Sequence, residues 1–464
     1  MFITIDRNIN TSIKKQIYDA ITNKILNGEI KSGVKMPSSR QLATQLNVSR
    51  NTVTEIYDQL VAESYLITFH GKGTYVANVI KLDSEITQDR KEEKDYSEIN
   101  NDEISFIAGT PDLSKFPKKI WLNSIKKYFC EENENILDYS GLYGYVPFRK
   151  SLGEYLLKHK GIKCSYKQII VTSGTRGGIS LTALFFINKM KKIMLESPVV
   201  NFAKDIFMSY GYELIGIGVD ENGLKTDVLP DISNSMIYTT PSHQFPMGGT
   251  LPIDRRQKLV EFAKKNGNYI LEDDYDSEFR YKGAPVNSLY QLAPDMVIHF
   301  GTFSKTIAPS LRLGYMVLPE SVLSSFEKYF ESVYESPYIT GQMAMTNLLK
   351  TGFYEKYLHK MRRIYKSKMS FLIKVLKNEF KDTISINGKN SGLHVAVKFK
   401  NIQFRLRDKK IFHKYGLDLD FSIDYMVEYE EYCNTVILGF GHLTETEILK
   451  GIKRFKRALL KINN

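Results

Sequence analysis

Beyond residue 104, short apolar runs recur at intervals, most of them beside an amphipathic helical pattern: QIIVTSG, KKIMLESP, SMIYTTPS, NYILEDD, DMVIHFGT and RLGYMVLP. Runs this short and this uniformly apolar read as strands buried on both faces. Their alternation with helices predicts an α/β unit, a mainly parallel sheet covered by helices on each side. In such sheets ligands bind at the C-terminal ends of the strands. The chemically unusual residues of this chain cluster at those ends.

Ser173-Gly174-Thr175 follow the strand Ile169-Ile170-Val171 and open the helix GISLTALFFI, so small residues and free amide groups meet at a helix N-terminus, a place for a phosphate. Asp273 and Tyr275 are expected just past the strand Asn268-Tyr269-Ile270-Leu271. Lys305 follows the strand Val297-Ile298-His299-Phe300, and Arg312 stands seven residues on. A lysine at the end of a buried strand loses solvation, deprotonates more readily and can form a Schiff base with an aldehyde. An aspartate a strand away could pair with a pyridinium nitrogen, Tyr275 could donate to a ring hydroxyl, and Arg312 with the Ser173 turn could hold a phosphate. Those are the parts that pyridoxal 5'-phosphate requires. Each is common alone, and their order on successive strand ends carries the reading.

The first eighty residues follow different rules. Ile13, Ile17, Ile21 and Ile25 repeat every fourth position from Thr11 to about Glu29, the stripe of an amphipathic helix. Ser38 or Ser39 can cap a second helix carrying Leu42, Ala43 and Leu46; Asn47-Val48 make a turn, and Ser49 caps a third helix whose inner face is Val53, Ile56, Tyr57, Leu60 and Val61. Leu66–Phe69 and Thr74–Val76 read as strands joined by His70-Gly71-Lys72-Gly73. The pattern is a helix-turn-helix with a wing. Ser49, Arg50, Asn51 and Thr52 occupy the first turn of the third helix, where amide groups and the dipole favour phosphate and side chains can reach base edges. Lys72 between two glycines can approach a DNA backbone closely.

Between these regions, residues 79–103 are charged and poor in large apolar side chains, the composition of a flexible acidic linker. Domain limits of 1–78, 79–103 and 104–464 follow. The 464 residues carry a net charge of +12, which favours a polyanionic partner. The three cysteines, Cys130, Cys164 and Cys433, show no metal-ligand spacing and suit a reducing compartment, so no metal is expected. With no apolar run of membrane-spanning length and no basic-then-apolar start, a cytoplasmic protein without a membrane partner is expected.

MPSSRQLATQLNVSRNTV and GKGTYV resemble the winged helix-turn-helix of the GntR family of bacterial regulators. YGYVPFR, VTSGT, TPSHQFPMG, LEDDYDSEF, GTFSKTIAPSLRLGYMVLP and ILGFG resemble a fold-type I aminotransferase, and the fusion resembles the MocR subgroup. The resemblance implies that Lys305 is the Schiff-base lysine, that Asp273 faces the pyridine nitrogen, Tyr275 the ring hydroxyl and Arg312 the phosphate. Arg40, Arg50, Asn51, Thr52 and Lys72 match DNA-contacting positions. A domain-swapped, head-to-tail homodimer on double-stranded promoter DNA is also implied.

The chain departs from the enzymes in three places. Val200 stands where an aromatic residue often lies near the cofactor, with Phe202 as a substitute. Phe245 replaces the asparagine of an Asn-Pro-x-Gly turn, leaving His243 or Gln244 as polar candidates. Ile437 stands where a carboxylate-binding arginine is expected, a role Arg176 could take for an amine or amino-acid effector. The reading is therefore a transcriptional regulator with an aminotransferase-like sensing domain, against the alternative of a working aminotransferase with an accessory DNA-binding module.

Overall fold

Serine hydroxyls set the helix starts of the N-terminal unit. In the computed structural model, which describes residues 3–7, 11–78, 102–131, 142–283, 286–331, 334, 336–428, 430–431 and 433–462, Ser12 caps α1 (Ile13–Leu26), Ser38 caps α2 (Ser39–Leu46) and Ser49 caps α3 (Arg50–Ala62). Of the two serines that could cap α2, Ser38 does so, in a reciprocal box with Gln41. Asn47 turns the chain in the left-handed region at φ 51°, which asparagine tolerates. Ile17, Ile21, Leu42, Val53, Ile56, Leu60 and Leu66 are buried together, while Val61 is only half-buried. β1 (Leu66–Phe69) and β2 (Gly73–Val76) pair antiparallel to form the wing.

The chain divides into two compact units, Met1–Ile99 and Asn100–Asn464. The segment expected to act as a linker lies outside the described residues up to position 101. Asp102 pairs with Lys450 and Arg454 of the helix Glu445–Leu459, and β3 (Ile104–Ser105) pairs in parallel with Leu417–Asp418.

In the larger unit all six apolar runs become strands of one eight-stranded sheet. Its members are β4 (Ile169–Thr172), β5 (Lys192–Ser197), β6 (Glu213–Asp220), β7 (Gly223–Leu224), β8 (Met236–Thr239), β9 (Tyr269–Asp274), β10 (Val297–Thr302) and β11 (Gly314–Val317). The spatial order is β4-β11-β10-β9-β8-β5-β6-β7. β10, β9, β8, β5 and β6 run parallel to one another, whereas β7 pairs antiparallel with β6 and β11 lies antiparallel between β10 and β4. The C-terminal ends of β4, β5, β8, β9 and β10 therefore open on one edge. A second, antiparallel sheet of four strands includes His394–Phe399 and Thr435–Gly439. Among the described residues no helix is long and apolar enough to cross a membrane.

Candidate functional site

β9 runs on through its acidic residues. Asp273 pairs with Phe300 and Asp274 with Gly301, so Asp273 lies inside the strand and not just past it, a correction to the sequence expectation. The ladder with β10 continues because Asp273 is satisfied laterally: the Tyr238 hydroxyl of β8 donates to its Oδ2 at 2.6 Å. Burial pushes the Asp273 carboxyl up to about 7, against that bond. β10 likewise extends two residues beyond expectation, to Thr302, and Lys305 follows it closely.

These strand ends enclose a cavity of about 500 Å³. Gly174, Thr175, Arg176, Asp273, Tyr275, Lys305 and Arg312 all line it. The Lys305 amine is buried, and desolvation lowers its pKa; Asp276 and Asp273 oppose that shift, while Arg176 and Arg312 reinforce it. Arg312 adopts φ 46° and donates from its guanidinium to the Ser173 carbonyl at 2.6 Å. The Ser173 side chain is exposed at the helix start, where a β-carbon on Gly177 would lie 2.5 Å from its hydroxyl.

Among the described residues, three polar atoms of the cavity wall are buried without a hydrogen-bond partner: Thr175 Oγ1, Asp273 Oδ1 and Asn201 Oδ1. Leaving such atoms unpaired costs about 1–3 kcal/mol each, so they mark where a polar ligand belongs. Their placement suits pyridoxal phosphate, with a hydroxyl at the helix start for an anion, a carboxylate for a ring nitrogen and a desolvated amine for an aldehyde. Tyr275 lines the cavity, and its hydroxyl donates to the His243 carbonyl at 2.8 Å.

Several lining residues gave no signal in the sequence. Tyr238 arrives from β8, Asn201 from a helix start, His394 from the antiparallel sheet and Tyr425 from the short helical turn Ser422–Tyr425. Gly109 was also missed. It adopts φ 89°, and a β-carbon there would meet the Lys305 Nζ at 2.5 Å. The lysine tip can move aside but the backbone cannot change hand without strain, so Gly109→Ala is expected to cost about 1–3 kcal/mol. It should also displace the amine, and thermal melting together with pyridoxal phosphate retention by the variant checks both effects.

The departures from the enzyme pattern resolve as follows. Phe202 lines the cavity with Val200, and the Arg176 guanidinium sits 5.0 Å from its ring centroid. Gln244 is committed elsewhere, donating to Glu196 and to the Pro198 carbonyl. His243 is buried against Asp276, at 3.0 and 3.1 Å from its Nδ1, with His394 beside it; the three can bring ligand atoms within 4.8 Å of one another. Phe245 packs edge-on against Tyr275, His394 and Tyr425. Ile437 is fully buried against Ala396 and Tyr425, in an apolar position that a guanidinium could occupy only at high desolvation cost.

In the N-terminal unit Arg40, Ser49, Arg50, Asn51 and Lys72 are exposed, whereas Thr52 is half-buried. Thr52 donates its amide to Ser49 Oγ at 3.1 Å, and the two hydroxyls lie 2.8 Å apart. Ser49 and Thr52 thus close the cap, beside the exposed Arg50 and Asn51 of the first turn of α3.

Residues 102–430 match the family of aminotransferases of class I and II, and residues 13–76 match the gntR family of bacterial regulatory proteins. The chain is 32% identical to the HTH-type pyridoxine biosynthesis transcriptional regulator PdxR of Corynebacterium glutamicum over 83% of each protein. It is 26% identical to the probable rhizopine catabolism regulatory protein MocR of Rhizobium meliloti, over 100% of this chain and 97% of that one. Among solved structures, a kynurenine aminotransferase of Pyrococcus horikoshii superposes with a TM-score of 0.71 at 26% identity, covering 78% of this chain and 91% of that one.

Proposed function

The chain belongs to the aminotransferase class I and II family and carries a gntR-type helix-turn-helix module ahead of it, and we propose that it is a transcriptional regulator that binds promoter DNA and senses pyridoxal phosphate, or an amine joined to it, through Lys305. The observation that carries this reading is the buried, desolvated Lys305 amine beside unpartnered Asp273 and Thr175 atoms, in one chain with an exposed recognition-helix start. When bound, pyridoxal phosphate supplies an aldehyde carbon that condenses with primary amines. Lys305 is the nucleophile, poised because burial disfavours its charged form. Asp273, held by Tyr238, would accept from the ring nitrogen. Thr175 and the Gly174 turn, with Arg312, would hold the phosphate, and Tyr275 would face the ring hydroxyl. Arg176 would orient an effector carboxylate from the mouth of the cavity.

On the DNA side, Arg40, Arg50, Asn51 and Lys72 would make the contacts, with the Ser49 and Thr52 pair fixing the helix start that presents them. Two copies would assemble head-to-tail, each DNA-binding module reaching the partner's large unit. A ligand shifts such an assembly only by its differential affinity for the two arrangements.

The test is an operator-binding titration by anisotropy, with and without pyridoxal phosphate and a panel of amines. Operator affinity should change with ligand. Arg50→Ala should weaken binding in both states, with a salt slope shallower by about one if Arg50 contacts a phosphate. Identical affinity under every ligand condition would exclude sensing. A second reading, a working aminotransferase, is favoured by the likeness to solved aminotransferases and opposed by the buried Ile437. Rapid steady-state conversion of an amino acid with 2-oxoglutarate would establish it.

A further inference from the structure

Successive residues of a strand face opposite sides of its sheet. Asp273 lines the cavity just described, and Asp274 lines a different one, of about 250 Å³, on the other side of β9. Lys160 reaches Asp274 at 2.7 Å and Glu278 at 2.8 Å, all three nearly fully buried. Burial works to raise the Asp274 carboxyl, yet Lys160 holds it below its usual value. The third carboxylate of the wall, Glu355, is held by Lys158 at 3.0 Å and His159 at 2.8 Å. Every acid lining this cavity is therefore spoken for.

Neither of its arginines pairs with a carboxylate among the described residues. Arg280 Nε is buried with no hydrogen-bond partner, and the side chain makes no ion pair among the described residues. Arg362 donates its Nε to the Glu278 carbonyl at 3.0 Å and has no carboxylate partner among the described residues either. A buried guanidinium donor without an acceptor is costly, and the fork geometry of arginine suits a planar carboxylate or a phosphate. The volume suits a small metabolite and is too small for a nucleotide.

We propose that this cavity is a second ligand site, for a small carboxylate- or phosphate-bearing metabolite anchored by Arg280 and Arg362. Its wall is joined to the first site by two short links. Asp274 directly follows Asp273, and Ser242 precedes His243, whose Nδ1 lies 3.0 Å from the Tyr275 hydroxyl. An anion here is thus placed to bias the setting of Asp273 and Tyr275, with the reciprocal effect on its own affinity.

The test uses the full-length Arg312→Gln chain, so that anion binding at the first site is weakened, in chloride-only buffer without added oxyanion. Inorganic phosphate and succinate are titrated separately and followed by thermal unfolding. A saturable rise in melting temperature is expected, lost by about tenfold or more in affinity when Arg280→Gln is added and weakened by Arg362→Gln. A stronger response to phosphate assigns a phosphate-bearing ligand, and a stronger response to succinate a carboxylate. In the absence of oxyanion, Arg280→Gln alone should leave the melting temperature unchanged or raised, since its guanidinium has no partner to lose; a marked drop would indicate a structural role and overturn the proposal. An anion response that Arg280→Gln leaves intact, or no response to either probe at millimolar concentration, would overturn it as well.

Discussion

A Lys305→Ala chain, incubated with pyridoxal phosphate and reduced with borohydride, should retain no pyridoxyl mass, whereas the unaltered chain should retain one group per polypeptide. Lysine is abundant in this sequence, with 64 Lys and Arg residues together, so the selectivity expected of this one amine needs a physical cause. The cause is burial. An exposed lysine stays almost fully protonated at neutral pH and competes poorly as a nucleophile. Lys305 is enclosed between the ends of the strands and the Gly109 backbone, and desolvation lowers its pKa with Arg176 and Arg312 acting in the same sense. Mass spectrometry of the reduced, digested protein gives the result directly. Equal pyridoxyl mass in both chains would remove Lys305 from its role, and with it the sensing proposal.

The second large effect is a pH-dependent stabilisation by Asp273→Asn in protein free of pyridoxal phosphate. Burial raises the Asp273 carboxyl to about 7 in the folded chain, above its usual value of 3.8. The folded state therefore holds this proton more tightly than the unfolded state, and this group's contribution to stability falls as pH rises from about 4 through 7. Above that range the ionised carboxylate costs up to about 4 kcal/mol, which a neutral asparagine avoids while keeping an acceptor for Tyr238. The variant should match the unaltered chain near pH 4 and exceed it in stability by up to that amount at pH 8. With pyridoxal phosphate the order should reverse, because a ring N–H offers the carboxylate the partner that Oδ1 lacks. Denaturant titrations of both chains at several pH values decide the point. A stability difference that does not vary with pH would show that Asp273 titrates normally.

How much of this was legible beforehand depended on distance along the chain. Serine caps, the Ile17 and Ile21 stripe and the wing strands could be read because each rests on interactions a few residues apart. The apolar runs marked six strands of the large sheet for the same reason, since burial on both faces shows in the run itself. Length of run does not reveal direction, so β11 gave no sign that it would lie antiparallel among parallel neighbours. Nor did it show where β9 ends. Acidic residues usually close a strand, but here Tyr238 supplies the hydrogen bond that lets Asp273 stay within one.

The candidate site divides the same way. Lys305, Asp273, Thr175 and Arg312 stood out because their side-chain chemistry is unusual at a strand end. Tyr238, Asn201, Gly109 and His394 did not, because each is an ordinary residue in its own segment and acquires a role only from what lies across the cavity. Ser173 was legible only in part. Its position before a helix could be read, whereas the bond its carbonyl accepts from Arg312, 139 residues away, could not.

By itself the sequence determined the periodicities, the caps and the order of reactive residues on successive strands, since these follow from bonds and contacts within one turn or one run. Tertiary structure alone decided which of those residues lose water, and which buried atoms are left without partners. Desolvation depends on everything packed around a group, and for Lys305, Asp273 and Arg280 those surroundings come from segments far away in the chain.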